Sequence, residues 1–409
     1  MDFSDTTEEA AFRAESRAFL EANAVLRAPI TGYRSRALEQ ADVEASRAWQ
    51  AQKAKAGFAG IHWPREHGGR GGTQMQVIIY AQEEEHYEVP VSVFNQGVGM
   101  ALPTIMACGR PDQVERYARP ALYGEEIWCQ LFSEPAAGSD LAGLRTSATK
   151  HGDEWIINGQ KTWTSNAHFS QFGMLVARSD PCAPKHKGLT FFILDMNSAG
   201  VEVRRIRQIS GTSNFCEVFF HDVRIPDDQR LGVVGGGWQV ALTMLANERF
   251  VVGQAEGPDV ADIMELAQRV VLDGRPAIAE ASVRERIARW YVLAQGLKYT
   301  RLRAQTALSR GHTPGPEASI TKLVSASKLQ QIASFGIDML GQAGMVTDSA
   351  VAPLNAWFQE ALLYAPGKRI AGGTDEILRN IIAERVLGMP GDIRADKDIP
   401  FNQVPSARR

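Results

Sequence analysis

One glutamate combines a chemically useful side chain with an apolar setting. Glu248 lies in the segment ALTMLANERFVVGQA, one helical turn after Met244 and one turn before Val252. A helix would place this carboxylate on an apolar face, and removal from water raises the pKa of a carboxyl group and makes it a stronger base. The residues leave two roles open: a base for proton abstraction, or a structural ion pair with the adjacent Arg249.

Three further segments are candidates for ligand binding. Residues 133–140, SEPAAGSD, form a loop of small and hydroxyl-bearing residues whose backbone N–H groups a ligand can approach closely. Trp163-Thr164-Ser165 offer an indole ring for stacking and two hydroxyls for hydrogen bonds. The double glycine of GGTDE, residues 372–376, leads into a helix start, which suits a phosphate. Each segment also has a plainer interpretation, as a turn, a core tryptophan or a capped helix.

The elements that must position these residues fall into three blocks. The periodicity predicts helices in the first 125 residues, then short strands bounded by turn residues, then long helices. We therefore predict an α+β multidomain fold: an N-terminal α-helical domain at 1–126, a middle antiparallel β-domain at 127–235 and a C-terminal four-helix bundle at 236–409. Asn158-Gly159 predicts a hairpin turn within the β-domain. The bundle helices are expected at 238–272, 279–310, 316–344 and 374–388.

Composition and charge exclude several classes of protein. The 409 residues have a formal net charge of −3, so nothing favours nucleic acid or an anionic membrane as a partner. The four cysteines are dispersed, as free thiols in a reducing compartment are, and neither they nor the eight histidines have metal-ligand spacing. No stretch approaches the ~20 apolar residues of a membrane span, and the acidic start is unlike a signal peptide, so we expect a cytoplasmic location. The absence of GxGxxG argues against a Rossmann-type dinucleotide site.

Several motifs occur in a fixed order along most of the chain. They are LFSEPAAGSDLAGLRTSA, INGQKTWTSNA, GLTFFILDM, IPDDQRLGVVGGGW, LANER and AGGTDEILRNIIAERVLG. One such match would be weak, whereas several in register are specific. From about Trp63 to Pro390 the chain resembles the acyl-CoA dehydrogenase family. The resemblance implies the same three-part fold, with FAD bound between the β-domain and the bundle.

The activity that the resemblance implies is dehydrogenation of an acyl-CoA thioester to the trans-2-enoyl-CoA. A carboxylate removes the α-proton in a dry site, while hydrogen bonds to the thioester carbonyl stabilise the developing charge. The β-hydrogen leaves as hydride to flavin N5. Many members carry the base just before the Gly-Thr of the last motif, where this chain has Gly372, but another branch carries it at the position of Glu248. We therefore expect Glu248 to be the catalytic base and Arg249 its electrostatic neighbour.

The resemblance also assigns cofactor and substrate contacts. The expected FAD contacts are Gln130, Ser133, Trp163, Thr164, Ser165, Thr374 and Glu376. The expected substrate contacts are Ser139, Arg249, Gly372 and Gly373. Among these, Trp163 should lie against a face of the flavin ring, Ser165 should bond near N5, and Ser139 should meet the CoA part of the substrate. No metal site is expected.

Two departures concern contacts that family members make across a subunit interface. The usual Arg-x-x-Phe element has no good match in LDGRPAIAEASVRERIARW, and the Gln-x-x-Gly-Gly motif has Asp338 and Gln342 at two of its positions. In some bacterial relatives two unlike chains share each flavin site. The open alternatives are thus a heterotetramer with a second acyl-CoA dehydrogenase subunit, in which this chain carries the base, and a homodimer or homotetramer. The implied electron acceptor is electron-transfer flavoprotein.

Other functions on the same fold stay open. An acyl-CoA oxidase would keep the base but admit oxygen to the reduced flavin, and a flavin monooxygenase would not need Glu248. A non-catalytic flavin-binding subunit is the alternative from a different class; the departures near Arg275 and Asp338 favour it, and the Trp163 segment argues against it. The acyl group cannot be read from the sequence, although glycines at 372–373 suit a branched or bulky one.

Overall fold

A computed structural model describes residues 4–27, 38–251, 257–310, 315, 318–391, 393–394, 396 and 398–405. The side chains of 248–251, 308–309 and 318 lie outside this description. The chain divides into two compact units. The first comprises Met1–Arg36, Ala81–Glu88 and Val252–Gly391, and the second, which we call the sheet unit, comprises Ala37–Tyr80, Val89–Val251 and Asp392–Arg409. None of the helices in the described ranges has the length and apolar character that crossing a bilayer requires.

Helices dominate the first 125 residues, as the periodicity predicts. They are Thr7–Asn23 (α1), Gln40–Lys55 (α2), Gln74–Glu84 (α3), Leu102–Cys108 (α4), preceded by a π-helical turn at Gly97–Ala101, and Pro111–Leu122 (α5). Two short strands, Val25–Leu26 (β1) and Tyr87–Glu88 (β2), pair antiparallel. The acidic start of α1 is a capping box: Thr6 Oγ1 accepts a hydrogen bond from the backbone of Glu9 at 3.2 Å, and the Glu9 carboxylate accepts one from the backbone of Thr6 at 2.8 Å.

An eight-stranded sheet occupies the middle of the chain. Its strands are Trp128–Leu131 (β3), Ser147–His151 (β4), Glu154–Ser165 (β5), Phe172–Arg178 (β6), Leu189–Asp195 (β7), Val201–Ile206 (β8), Phe215–Pro226 (β9) and Arg230–Leu231 (β10). They lie in the order β10-β7-β6-β4-β5-β9-β8, with β3 parallel to β6. The long pairings β4–β5, β5–β9, β6–β7 and β8–β9 are antiparallel, which confirms the predicted β-domain.

Both faces of the sheet are covered. Met174 and Val176 of β6 belong to a core that also contains residues of α4, α5 and α6 (Gly237–Val251), whereas Leu175 and Ala177 point into a separate core between the strands. Successive side chains of a strand point to opposite faces, so β6 carries apolar side chains on both faces. This explains why β6 and β7 read as largely apolar runs, FGMLVAR and LTFFILD, in the sequence.

The hairpin predicted at Asn158-Gly159 is wrong. β5 runs unbroken through both residues, and the turn that joins β5 to β4 is Gly152-Asp153. Gly159, with φ of 146°, lies instead at an irregularity in the pairing with β9. The Asn158 side chain exchanges two hydrogen bonds with Asp222 across the strands, at 2.9 Å each. The Asn-Gly pair therefore supports a bulge, which local sequence cannot distinguish from a turn.

Helices also form the C-terminal part of the first unit. They are Val260–Arg269 (α7), Ala281–Ser309 (α8), Ala318–Leu340 (α9), Trp357–Lys368 (α10) and Asp375–Ile381 (α11), and a small hairpin pairs Val271–Leu272 (β11) with Arg275–Pro276 (β12). Residues of α7, α8, α9 and α10 share one core, which includes Leu266, Trp290, Ile332 and Phe358. The predicted C-terminal bundle is confirmed, with a different set of helices.

Two features of that bundle differ from the sequence-based expectation. The single helix predicted at 238–272 is two elements, α6 and α7, and α6 packs in the sheet unit rather than in the bundle. The fourth bundle helix is α10, which contains Pro366 and was not predicted. The three-domain boundaries at 126/127 and 235/236 stay a prediction.

Candidate active site

The loop that follows β3 is fixed close to the strand. Gln130 lies half-buried on β3, and the Ser133 carbonyl accepts a hydrogen bond from the backbone of Thr162 on β5 at 2.9 Å. Next along the chain, the backbones of Glu134 and Ala137 exchange two hydrogen bonds, at 2.9 and 3.0 Å, and close a tight turn. Ser139 is exposed just beyond this turn. Two predicted cofactor contacts and one predicted substrate contact therefore lie on one short segment.

Trp163 lies at a bulge on β5. Its φ of 58° is in the left-handed region, and the register with β9 shifts between Lys161 and Thr164. Such a backbone costs a bulky residue about 1–3 kcal/mol and persists only where the surroundings impose it. The residue is 59% exposed, and its ring packs edge-on against Phe215 with centroids 6.1 Å apart. The bulge thus presents a large apolar ring that can stack on a flat ligand.

The two residues after Trp163 carry hydroxyls in different settings. Thr164 is only 1% exposed, and its Oγ1 has no hydrogen-bond partner among the described residues. A buried hydroxyl without a partner costs about 1–3 kcal/mol, so an unpaired one calls for an explanation such as a ligand or water. Ser165 is half-buried at the end of β5, opposite Phe215 of β9. The predicted trio therefore lies together at one strand end.

A buried ion pair, not anticipated from the sequence, joins the loop to this strand. The Lys161 side chain is 0% exposed, and its Nζ donates to Glu134 Oε1 at 2.8 Å and to the Phe132 carbonyl at 3.0 Å. The Glu134 carboxylate also accepts hydrogen bonds from the backbones of Arg145, at 2.6 Å, and Thr146, at 2.9 Å. The pair fixes loop 133–140 to β5 two residues before the exposed tryptophan.

The surroundings of this pair keep the carboxyl group charged. Burial alone would raise the pKa of Glu134, but the charge and hydrogen bond of Lys161, with the backbone donors, hold that pKa below its usual value. One signal for the pair existed in the sequence. Alternation along β5 puts Lys161 on the same face as Trp155 and Ile157, which are both buried. Strand alternation could not identify Glu134 as the carboxylate that pairs with Lys161.

The predicted base lies on α6. This helix packs Val240 and Met244 into the core of the sheet unit, and Asn247 Nδ2 donates to Thr104 Oγ1 of α4 at 3.3 Å. Glu248 follows directly, on the last turn of the helix, with Arg249 next to it. The side chains of both residues lie outside the described part of the chain. Their roles as base and electrostatic neighbour stay predictions.

The remaining predicted residues lie in the other unit, before and within α11. Gly372 and Gly373 have φ of 64° and 94°, in the left-handed region that favours glycine. Thr374 is the N-cap, since its Oγ1 accepts a hydrogen bond from the backbone of Ile377 at 3.2 Å, which confirms the helix start predicted there. Glu376 is exposed on the first turn.

Asp375 is a buried acid within this turn, and its structural role was not anticipated. It is 2% exposed, and Oδ2 accepts a hydrogen bond from Arg369 Nε at 2.7 Å. Its Oδ1 has no hydrogen-bond partner among the described residues. The turn is also fixed by Lys322, whose ammonium group donates to the Gly373 carbonyl. The Lys322 bond and the Arg369–Asp375 pair therefore fix the turn that contains the two glycines.

The segments that depart from the family pattern are exposed. Arg275 lies on β12, next to a turn in which Asp273 and Gly274 have φ of 49° and 78°, and its guanidinium group pairs with Glu280 at 3.0 Å. Asp338 is exposed near the end of α9. Gln342 is exposed just after that helix.

Family models match the chain in three consecutive parts. "Acyl-CoA dehydrogenase, N-terminal domain" matches residues 6–125, "Acyl-CoA dehydrogenase, middle domain" matches 129–223 and "Acyl-CoA dehydrogenase, C-terminal domain" matches 235–387. The order of these parts is the order of the helical, sheet and helical segments described above.

Individual relatives agree with the family models. Acyl-CoA dehydrogenase IpdE1 of Mycobacterium tuberculosis is 36% identical over 391 residues, which are 94% of this chain and 98% of that protein. Acyl-CoA dehydrogenase FadE34 of the same organism is 39% identical over 344 residues, 83% of this chain, but these span only 46% of its own length. Of the solved structures, the Tcur3481-Tcur3483 steroid ACAD is 26% identical with a TM-score of 0.78, covering 96% of this chain and 100% of that one. The ChsE4-ChsE5 complex from M. tuberculosis is 25% identical with a TM-score of 0.76 and the same coverage.

Proposed function

Since this chain belongs to the acyl-CoA dehydrogenase family and is an FAD-dependent oxidoreductase, we propose that Glu248 is the base that removes the α-proton of its acyl-CoA substrate. The thioester α-proton is weakly acidic, so the base must act in a dry site with hydrogen bonds to the carbonyl oxygen. Glu248 follows the buried Met244 by one turn of α6, which supports an apolar setting for it. Arg249 is proposed as its electrostatic neighbour at the substrate.

The single observation that carries the flavin-dependent function lies at the end of β5. An exposed indole at a bulge, Trp163, stands beside a buried and unpaired hydroxyl, that of Thr164, and both features suit a bound flat heterocycle with polar edges. FAD, when bound, supplies the acceptor for the hydride that leaves the β-carbon. Gln130, Ser133, Trp163, Thr164 and Ser165 are proposed to hold the flavin ring, and Thr374 and Glu376 its diphosphate or ribose.

Replacement of Glu248 by glutamine tests the base. We expect the variant to keep its FAD, while the rate of anaerobic flavin reduction by acyl-CoA falls by about 10²–10⁴, the usual contribution of a general base. Glu285→Gln is the matched control, because Glu285 lies on α8 in a surface ion pair with Arg289, and its reduction rate should equal that of the wild type. A Glu248→Gln rate within about threefold of the wild type would remove the residue from this role.

Assays of the wild-type protein with acyl-CoA separate the competing functions. A wild-type protein that holds FAD but is not bleached by any acyl-CoA would favour a non-catalytic subunit. Rapid hydrogen peroxide formation with an acyl-CoA in air would favour an oxidase. Bleaching that is reversed by electron-transfer flavoprotein, with little peroxide, would support the dehydrogenase and the proposed electron acceptor.

We further propose a bulky acyl group. Gly372 stands where many family members carry a glutamate, and Gly373 follows it, so the chain has no side chain beyond hydrogen at either position. The Tcur3481-Tcur3483 relative is named as a steroid ACAD, which supports a ring-containing substrate here. Anaerobic bleaching should therefore be fastest with a steroid-type or branched acyl-CoA. A faster reaction with a straight short or long chain would refute this part of the proposal.

The proposed partner is an unlike acyl-CoA dehydrogenase subunit. Asp338 and Gln342 replace the family's Gln and Gly, and Arg275 is paired with Glu280 within its own chain. The Tcur3481-Tcur3483 and ChsE4-ChsE5 relatives are each named as two proteins. Expressed alone, this chain should therefore hold substoichiometric FAD. Full FAD occupancy in a homodimer or homotetramer would favour the alternative assembly.

A cytoplasmic location, which four free cysteines favour, belongs to the same proposal.

A further inference from the structure

The C-terminal end of the chain contacts the sheet unit. The backbone N–H groups of Phe401 and Asn402 donate to carbonyls of the β6–β7 loop, residues 179–188, at 2.9 Å each. We call Asp396 together with residues 398–405 the C-terminal strap. These backbone bonds fix the strap against one specific loop, so its side chains have defined neighbours.

Lys185 of that loop carries a buried charge between two other segments. Only 4% of the residue is exposed, and its Nζ lies 3.0 and 2.9 Å from the two carboxylate oxygens of Asp140. The same ammonium group pairs with Asp396 of the strap. A buried ammonium ion needs compensating negative charge, and here one carboxylate comes from each side. Asp140 directly follows Ser139, so a single cation ties the expected CoA loop to the strap.

Arg178 makes a second connection between the same segments. At the end of β6, its guanidinium group donates to the Lys185 carbonyl at 2.7 Å and to the Ala142 carbonyl at 2.6 Å. The ring of Phe401 covers this group, with the guanidinium carbon 3.8 Å from the ring centre. Ala142 belongs to the helical turn that starts just after Asp140. Phe401 therefore shields the arginine that anchors the far end of the CoA loop.

We propose that the C-terminal strap positions the Ser139–Asp140 loop for the CoA part of the substrate, an inference that rests on the proposed function in taking Ser139 as a CoA contact. Asp396 and Phe401 are positioning residues in this arrangement. Without Asp396, the carboxylate partner that Lys185 keeps among the described residues is Asp140, whose side chain is 63% exposed compared with 24% for Asp396. The loop then gains conformational freedom that CoA binding must remove, which weakens binding.

Point variants of the full-length, FAD-loaded protein test the proposal, with coenzyme A itself as the probe because every acyl-CoA contains it. In Asp396→Asn and in Phe401→Ala, we expect the calorimetric Kd for CoA to rise about fivefold or more, and amide hydrogen exchange across residues 133–144 to accelerate. Asp398→Asn is the control, since it removes the same charge from an exposed position of the strap, and it should bind CoA as the wild type does. Asp396→Glu should restore most of the affinity.

An unchanged Kd in both Asp396→Asn and Phe401→Ala would overturn the proposal, even with faster exchange, because the strap would then order the loop without serving the ligand. An equal loss in Asp398→Asn would also overturn it, since net charge alone would explain the effect. Strap-dependent CoA binding by a protein whose flavin no acyl-CoA reduces would leave the strap proposal standing while the proposed base falls. A wild-type protein without measurable affinity for CoA would overturn both.

Discussion

Replacement of Lys161 by methionine removes one charge from the buried pair that fixes loop 133–140. Methionine keeps most of the length of the side chain, so the main change is electrostatic. The side chain of Lys161 is 0% exposed and that of Glu134 7%, so water cannot replace the lost ammonium group. Two backbone N–H groups and the Thr146 hydroxyl would still face the carboxylate, with the charge of Arg178 nearby, but the ammonium group that pairs with it would be gone. Removing one partner of a buried ion pair costs about 3–5 kcal/mol of stability.

Thermal unfolding of the FAD-loaded protein measures this cost. For a unit of this size a loss of about 3–5 kcal/mol corresponds to a fall of ~6–20 °C in the midpoint. Lys150→Met is the matched control, because Lys150 lies on the neighbouring strand β4, is 49% exposed and pairs with Asp227 only at 3.6 Å. Surface changes of this kind stay within about 0.5 kcal/mol. A Lys161→Met midpoint within 2 °C of the Lys150→Met midpoint, on the order of 1 kcal/mol or less, would refute the reasoning.

The pH dependence of stability independently checks that Lys161 and Glu134 form a charged pair. The pKa of Glu134 is lowered in the folded wild type, so the pair contributes stability above the carboxyl's unfolded pKa and loses it as the pH falls through the folded value. Without Lys161, burial would raise that pKa, and protonation would then relieve the unpaired charge. The difference in unfolding midpoint between wild type and Lys161→Met should therefore narrow as the pH is lowered from 7 towards about 4. A difference that widens over this range would contradict the assignment of a charged pair.

Three further changes have expected outcomes. Trp163→Gly should be more stable than Trp163→Ala by about 1 kcal/mol in thermal unfolding, because φ of 58° penalises any side chain; equal stability of the two would contradict a strained bulge. Burial and the charge of Arg205 lower the pKa of His168 to about 4, so wild-type stability should fall as the pH drops from about 6.5 to about 4, and His168→Phe should flatten that part of the curve. Gly373→Ala should destabilise the protein by about 1 kcal/mol because φ of Gly373 is 94°. Gly367→Ala is the control and should be neutral or stabilising, because Gly367 lies within α10 with open space where a Cβ would be. A stability change of the same sign in both variants would argue against the backbone explanation.

The sequence by itself determined the features that depend on neighbours within one or two turns. Helical periodicity and capping residues identified the first helices and the N-cap at Thr374, because these interactions join residues three or four positions apart. The order of helical, strand-rich and helical segments also followed from local patterns. The candidate residues at 163–165 were recognised together because they are adjacent in the chain, and their shared position at a strand end follows from that adjacency.

Only the tertiary structure decided which distant segments meet. Asn158-Gly159 lies opposite a bulge of β9 and not at a turn, and Asp222 of that bulge, 64 residues away in the sequence, is the partner of Asn158 across the strands. Lys161 and Glu134 form a pair because β5 passes the loop after β3, and α6 packs with the sheet because its apolar face matches that core. The strap contacts Lys185 through the same kind of long-range packing. Such contacts depend on strand order and on the summed burial of many side chains, and no local pattern of residue types encodes either of them.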